Sequence, residues 1–393
     1  MTKTTARSDA AHATLIESET IGGGVRAFGL DPSERLRRSF ENGGLALVEG
    51  GAVAGLGEGR LVALSTAHFY DERLISALAQ DERDLVLLAA TGAAGSIAVG
   101  VAGAARRVAP LLSAIRLGED PLAAARAAGV AVLSPGDLVP DYDQKLRKSS
   151  PPFVIAADPA RVPEIEQRIF NAAYKDVTDF VTKFVWPVPA RIVTGWCARF
   201  GVSPNALTLF SYVLALSAGV AFWEGRFGLG LAAAWLMTFL DTVDGKLARV
   251  TLTSSRLGDV LDHGLDLIHP PLWWAAWGAG LANHVAPFSP YGGWVAVVFV
   301  GYVVGRLLEG AFIVSFGQEM FTWRPFDLAF RLVIARRNPN LVLLSLATIL
   351  GEPAIGLITV GVWTLCCIGI QCIRIAQAAA DRLRGREISP YLG

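Results

Sequence analysis

The chain has 393 residues, 52% of them hydrophobic, with ten Trp and a mean hydropathy of +0.43. That is too apolar for an ordinary soluble protein and suits a chain that is partly membrane-embedded. Lys plus Arg (35) balance Asp plus Glu (35), so no charge excess points to nucleic acid.

Taken in chain order, Met1 to about Thr20 is polar and has no apolar core of a signal peptide, so the first domain is expected to stay in the cytoplasm. From about residue 43 to 155, short apolar runs alternate with helical stretches. Leu45–Val48, Leu61–Leu64 and Leu85–Leu88 read as buried strands, and Asp71–Ala79 and Pro121–Ala128 as helices. Strands alternating with helices predict a parallel α/β sheet. Gly22-Gly23-Gly24-Val25-Arg26 is the nearest candidate for a phosphate-cradling loop, but no apolar strand is read before it. Gly92–Gly103 is Gly/Ala-rich with no basic residue until Arg106.

Between Glu164 and Phe184, apolar residues at Phe170, Tyr174, Val177, Val181 and Phe184 form a helical stripe. The expectation is an amphipathic helix at the membrane surface, with packing on the soluble domain as the alternative. Beyond Pro204 come six apolar runs, at about 205–223, 227–248, 258–282, 291–315, 340–351 and 355–377. Spanning a bilayer takes about 20 residues, and six transmembrane helices are predicted, the fifth being short. Arg249 and Arg256, then Arg324, Arg331, Arg336 and Arg337, then Arg374, Arg382, Arg384 and Arg386 fall in or beside alternate loops and the final turn. The positive-inside rule then places both termini on the cytoplasmic side. Cys197, Cys366, Cys367 and Cys372 fit no metal or redox spacing and read as small apolar residues.

One constellation carries chemistry. Asp241-x2-Asp244-Gly245-x2-Ala248-Arg249 is followed, eight residues later, by Gly258-x3-Asp262-x3-Asp266. Asp241 and Asp244 are i,i+3 and Asp262 and Asp266 are i,i+4, so each pair shares one helix face. Four carboxylates brought together in an apolar setting require cations, and hard oxygen ligands suit Mg2+ or Mn2+.

This spacing resembles the signature of the CDP-alcohol phosphotransferase family at all eight fixed positions. The resemblance implies transfer of a substituted phosphate from a CDP-alcohol, such as CDP-diacylglycerol or a CDP-polyol, to an acceptor alcohol, releasing CMP. It assigns Asp241, Asp244, Asp262 and Asp266 to two metal ions, with Asp266 also placed to take the acceptor proton. Gly245, Ala248 and Gly258 would admit the nucleotide, Arg249 would meet a donor phosphate, and Lys246 and Asp259 would assist with the cytidine. Arg331, Arg336 and Arg337 are a candidate pocket for a phosphorylated acceptor such as inositol phosphate. His263 and His269 read as packing groups or as supports of the ligands rather than as ligands, and Arg306 and Glu309 as a pair within the fourth span or as groups facing a polar cavity. Many relatives are homodimers, which the resemblance extends to this chain. The N-terminal half loosely resembles nucleotidyltransferase domains through Leu61–Leu64 and Tyr70-Asp71-Glu72-Arg73-Leu74, as in enzymes fusing an inositol-phosphate cytidylyltransferase to a phosphotransferase.

The resulting expectation is a multi-pass α-helical membrane protein with six transmembrane helices, preceded by a soluble α/β, nucleotidyltransferase-like domain. Residues 1–160 form that domain, degenerate in its chemistry; 161–203 an interfacial linker; 204–380 the membrane domain; and 381–393 a cytoplasmic tail. The site would lie in the cytoplasmic membrane, facing the cytoplasm. The alternatives are a bifunctional enzyme with an active N-terminal cytidylyltransferase, and a cation transporter using the Asp cluster. The fixed Gly, Ala and Arg positions argue against transport.

Overall fold

A computed structural model describes residues 11–17, 24–91, 95–117, 119–143, 146–254, 256–285 and 289–391, with the side chains at 54, 256–263 and 265–267 outside the described set. Two compact units result. One comprises 1–143, 149–173 and 250–252; the other comprises 144–148, 174–249 and 253–393.

The first unit contains β1 (His12–Ile16), α1 (Pro32–Asn42), β2 (Ala46–Leu47), β3 (Arg60–Ser65), β4 (His68–Tyr70), α2 (Glu72–Gln80), β5 (Leu85–Ala90), β6 (Ser96–Ala104), α3 (Ala105–Arg116), α4 (Leu122–Ala127), β7 (Ala131–Leu133) and α5 (Pro135–Leu138). The short strands β8 (Tyr142–Asp143), β9 (Lys148–Ser149) and β10 (Val154–Ala156) and helix α6 (Val162–Ala172) follow. The main sheet has the order β2-β1-β3-β6-β5-β7. Both faces of β3 are covered. Leu61 and Ala63 join Val86, Val101, Val108 and Leu111 on one side, and Val62 and Leu64 join Ala13, Leu36, Phe40 and Leu87 on the other. Alternating side chains that are apolar in both directions mark a strand inside a three-layer domain.

Both expected helices and the buried strands at Leu61–Leu64 and Leu85–Leu88 are present; Leu45–Val48 gives only the two-residue edge strand β2, whose Ala46 is exposed. Asp71 caps α2 by accepting from the Arg73 amide at 3.0 Å. Two further expectations need correction. The sheet is mixed, because β6 runs antiparallel to both β3 and β5. Only Thr91–Gly95 separates β5 from β6, too few residues for the crossover that parallel neighbours require. Second, an apolar strand does precede the glycine run at 22–24. β1 pairs in parallel with β2 and β3; it escaped notice because five residues sit in a polar stretch. Gly22 and Gly23 lie outside the described residues. The Gly92–Gly103 segment is largely β6, where a Cβ on Gly100 would come within 2.4 Å of Leu64 and 2.6 Å of the Ala63 carbonyl. Its glycines serve close strand packing.

His68 on β4 is buried, with no partner for Nδ1 among the described residues. Burial pushes its pKa from 6.5 down to about 4. The folded value lies below the unfolded one, so the stability this neutral imidazole supports is present above about pH 6.5 and lost as pH falls toward 4. We expect this unit to lose about 2 kcal/mol across that window. Pulse-labelled hydrogen exchange of β3 and β4 amides in the full chain measures it. A His68→Leu variant losing protection as steeply as wild type would refute the assignment.

The second unit is helical: α7 (Pro187–Arg199), α8 (Pro204–Trp223), α9 (Phe227–Val250), α10 (Arg256–Leu281), α11 (Gly292–Phe316), α12 (Pro325–Val333), α13 (Arg337–Ile349) and α14 (Pro353–Leu383). Ser203 starts α8 by accepting from the Ala206 amide at 3.2 Å, with Pro204 at the first position. Among the described residues, α8, α9, α11 and α14 are long and apolar enough to cross a membrane. The chain is therefore an integral membrane protein with an α/β domain ahead of its helices. All six predicted apolar runs are helices. However, α13 has 13 residues, about 20 Å at 1.5 Å per residue, short of the roughly 30 Å hydrocarbon layer. Part of α10 lies outside the described side chains.

A cluster of Trp273, Trp274, Trp277, Phe222, Met237 and Leu341 fills the bundle centre. Small residues set its close approaches. A Cβ on Gly280 would lie 2.1 Å from the Phe222 carbonyl, and one on Gly278 2.1 Å from Val295.

The helix expected over 164–184 is interrupted. α6 ends at Ala172, and a single wide turn at Val181–Val185 precedes α7. Phe170, Tyr174, Val177 and Val181 are buried, whereas Phe184 is exposed; Val177 packs with Phe312, Met320 and Phe321 of the helical unit, not with the α/β domain as the alternative had it.

Candidate active site

α9 carries Asp241, Asp244, Gly245, Lys246, Ala248 and Arg249 near its C-terminal end. Asp241 and Asp244, one turn apart, face the same way as the spacing requires. Asp244 is 3% exposed. Its Oδ2 accepts a 2.6 Å hydrogen bond from Thr208 Oγ1 on α8, short as expected for a charged acceptor. Asp241 Oδ2 accepts from Arg337 at 2.7 Å, a pair whose side chains are 9% and 17% exposed. Gly258, Asp262 and Asp266 lie on α10, and the side chains of Asp259, Asp262, His263 and Asp266 are outside the described set.

Two neighbours of this motif were not singled out as site residues from the sequence. Thr208 lies near the start of α8, which also holds Ser211, Tyr212 and Ser217; the available signal was the Pro204-Asn205-x2-Thr208 entry, which resembles the start of the family's membrane domain. Tyr174 places its ring 4.2 Å from the buried Lys246 Nζ, a cation–π contact, and its hydroxyl donates to the Thr182 carbonyl. The segment before the bundle thereby fixes the one lysine in the motif.

Gly245 behaves unlike the packing glycines. A Cβ there would meet nothing within 4 Å among the described residues, whereas Gly278 and Gly280 have no such room.

The three arginines expected to act together divide. Arg337 is on Asp241. Arg336 donates to Glu309, which also pairs with Arg306 at 3.3 Å and accepts from Gln371 at 3.4 Å. Arg331 on α12 is buried, and its Nε and one terminal nitrogen have no hydrogen-bond partner among the described residues. Arg331 and Arg336 lie 5.9 and 5.4 Å from the Phe321 ring centre. Burial, and next the neighbouring Arg336, press the Arg331 guanidinium well below its usual range, to about 9, with Asp179 and Glu309 opposing. The two Arg331 nitrogens keep N–H groups that can donate to an anion. His269 is buried, with its ring centre 4.5 Å from that of Trp273, a packing role as expected.

Hard carboxylate oxygens at Asp241 and Asp244, aimed from one helix face, fit a divalent cation such as Mg2+ or Mn2+. No group of three or more potential ligands occurs among the described residues, the other two acids of the motif lying outside them.

The geometry gives one test of Thr208 as a positioning residue. Thr208→Val is expected to lower turnover about 10- to 100-fold, with recovery in Thr208→Ser. Equal loss in both variants would mean that the hydroxyl is not what matters.

Residues 201–320 match the family model for CDP-alcohol phosphatidyltransferase. The chain is 28% identical over 162 residues to a bifunctional IPC transferase and DIPP synthase of Rubrobacter xylanophilus, covering 41% of this chain and 34% of that protein. It is 33% identical over 94 residues to a phosphatidylinositol phosphate synthase of Mycobacteroides abscessus, covering 22% and 43%. It is 29% identical over 132 residues to cholinephosphotransferase 1 of Gallus gallus, covering 30% and 37%. The matches span between about a third and under half of the length of these curated relatives. The matched residues 201–320 hold Asp241, Asp244 and the rest of the eight-position motif, so the likeness to CDP-alcohol phosphatidyltransferases lies in this part of the helical unit.

Proposed function

We propose that the helical unit transfers a substituted phosphate from a CDP-alcohol to an acceptor alcohol with release of CMP, as part of phospholipid or polyol-phosphodiester synthesis. The observation that carries this reading is buried Asp244 one turn from half-buried Asp241, with Gly245 beside them on the same helix. Two Mg2+ or Mn2+ ions held by Asp241, Asp244, Asp262 and Asp266 would neutralise the donor pyrophosphate and the leaving CMP. Gly245, Ala248 and Gly258 give the nucleotide access to the backbone, and Arg249 offers a planar fork to a donor phosphate. Lys246, held by Tyr174, adds a fixed positive charge. Thr208 holds the Asp244 carboxylate in one orientation, and Arg337 compensates Asp241. Asp266 takes the proton of the acceptor hydroxyl as it attacks phosphorus.

The acceptor reading rests on Arg331. Its unpartnered N–H groups beside Arg336 suit a phosphate, so the acceptor is a phosphorylated polyol, inositol phosphate being the representative. The membrane unit has six spans, with α10 and the short α13 completing α8, α9, α11 and α14, and its motif faces the cytoplasm. A homodimer is the working assembly. The N-terminal unit is a nucleotidyltransferase-like domain whose own chemistry is reduced.

The test is CMP release by detergent-purified protein with Mg2+ or Mn2+. CDP-diacylglycerol and CDP-inositol are each offered with inositol, inositol phosphate and glycerol phosphate, and a parallel arm asks for cytidylyl transfer from CTP. Metal-dependent CMP release with one pair establishes the reaction. A protein that binds no CDP at all refutes it, and turnover of CTP by the N-terminal unit overturns the reduced role given to it.

A further inference from the structure

Helix α12 buries two opposite charges on one face and keeps them apart. Asp327 and Arg331 stand one turn from each other, the i,i+4 spacing at which an acid and an arginine on a helix readily pair. Asp327 is 0% exposed and Arg331 9%, so neither charge is left to water. Asp327 is instead taken up by Arg374 of α14. Arg374 Nε donates to Oδ1 at 2.6 Å and a terminal nitrogen donates to Oδ2 at 2.7 Å, the bidentate fork that fixes both partners in orientation.

Arg374 is itself held. Its remaining terminal nitrogen donates to Gln377, and its guanidinium carbon lies 4.5 Å from the Trp323 ring centre and 5.5 Å from that of Phe326. Two buried guanidiniums beside aromatic rings thus differ in one respect. Every nitrogen of the Arg374 guanidinium has a partner, whereas Nε and one terminal nitrogen of Arg331 have none among the described residues. The fold satisfies the arginine that draws Asp327 away and leaves unsatisfied the one that Asp327 would otherwise meet.

We propose that Arg374 is a positioning residue for anion binding: by holding Asp327 it prevents that carboxylate from closing onto Arg331, and so leaves the Arg331 N–H groups to the phosphate of the acceptor. The proposal rests on the acceptor reading of Arg331 given above. Physically, two anions compete for one arginine. A carboxylate one turn away on the same helix competes intramolecularly, without the loss of translational freedom that a dissolved phosphate must overcome. Arg374 removes this competitor.

The test is binding of inorganic phosphate to the detergent-purified full chain by titration calorimetry, with thermal unfolding measured beside it. Wild type should bind and Arg331→Met should not, which places the ion at Arg331. Arg374→Met should weaken binding about 10- to 100-fold, the worth of a charge-assisted hydrogen bond, because Asp327 turns to Arg331. Asp327→Asn also breaks the ion pair, yet it should bind as wild type does, and adding it to Arg374→Met should restore binding. Arg374→Gln, which can still donate to Asp327, should show a partial loss, so the question is answered even with a Met variant that does not fold. Equal loss in Arg374→Met and Asp327→Asn overturns the proposal in favour of a pair that only holds α12 in place. Unchanged binding in both Arg374 variants overturns it by showing that Asp327 stays off Arg331 unaided. Either result leaves the acceptor reading standing. Absent wild-type binding, or binding that Arg331→Met does not alter, overturns that reading and the proposal with it.

Discussion

Asp244→Asn is expected to cut metal-dependent CMP release on the order of 10³-fold, the scale on which preorganised electrostatic groups act in catalysis. The substitution removes a charge and almost nothing else. Asn keeps an oxygen for the 2.6 Å bond from Thr208, and its shape matches the 3% exposed site. Burying an amide costs less than burying a carboxylate, so folding stability should hold or rise. Loss of activity with unchanged thermal unfolding in the same detergent is therefore the informative outcome. It should come with a right-shifted Mg2+ or Mn2+ titration, which a merely structural role would not produce. Activity within tenfold of wild type would remove Asp244 from the metal site and, with it, the proposed chemistry.

That experiment can be stated because the motif was legible in the sequence. Fixed spacing on a helix translates directly into a face, so Asp241 and Asp244 needed no tertiary knowledge to be paired. The helical runs were equally plain, since a bilayer demands about 20 apolar residues in one stretch. What remained hidden depended on neighbours far along the chain. Thr208 and Arg337 reach the two carboxylates from α8 and α13, 36 and 96 residues away, and no local periodicity encodes such pairings. β1 was missed because its signal is five residues long and its burial comes from β2 and β3. The stripe from Phe170 to Phe184 shows the limit of amphipathy itself. Periodicity tells which residues share a face, and only the fold tells whether protein or lipid covers it.

The same distinction between pairing and placement gives the second strong prediction. Arg331→Met should make the protein more stable and a worse enzyme. Arg331 buries a guanidinium with two nitrogens lacking partners among the described residues, and burial already disfavours its charge. Leaving such a group unsatisfied costs about 1–3 kcal/mol, more when charged. Met keeps the aliphatic stem and discards the charged guanidinium, whose carbon lies 5.9 Å from the Phe321 ring centre, so thermal unfolding should move upward. A site kept at such a cost is explained by an anion that pays it back on binding. The apparent KM for a phosphorylated acceptor should then rise about 10- to 100-fold, the worth of a charge-assisted hydrogen bond. The KM for the CDP-alcohol, bound beside Asp241 and Asp244, should not move. Measuring both constants with unfolding in one detergent separates the cases. Raised stability with an unchanged acceptor KM would leave Arg331 without a ligand and sink the phosphorylated-acceptor reading. Lowered stability would mean that the guanidinium is satisfied inside the fold, and an altered donor KM would place it at the other substrate.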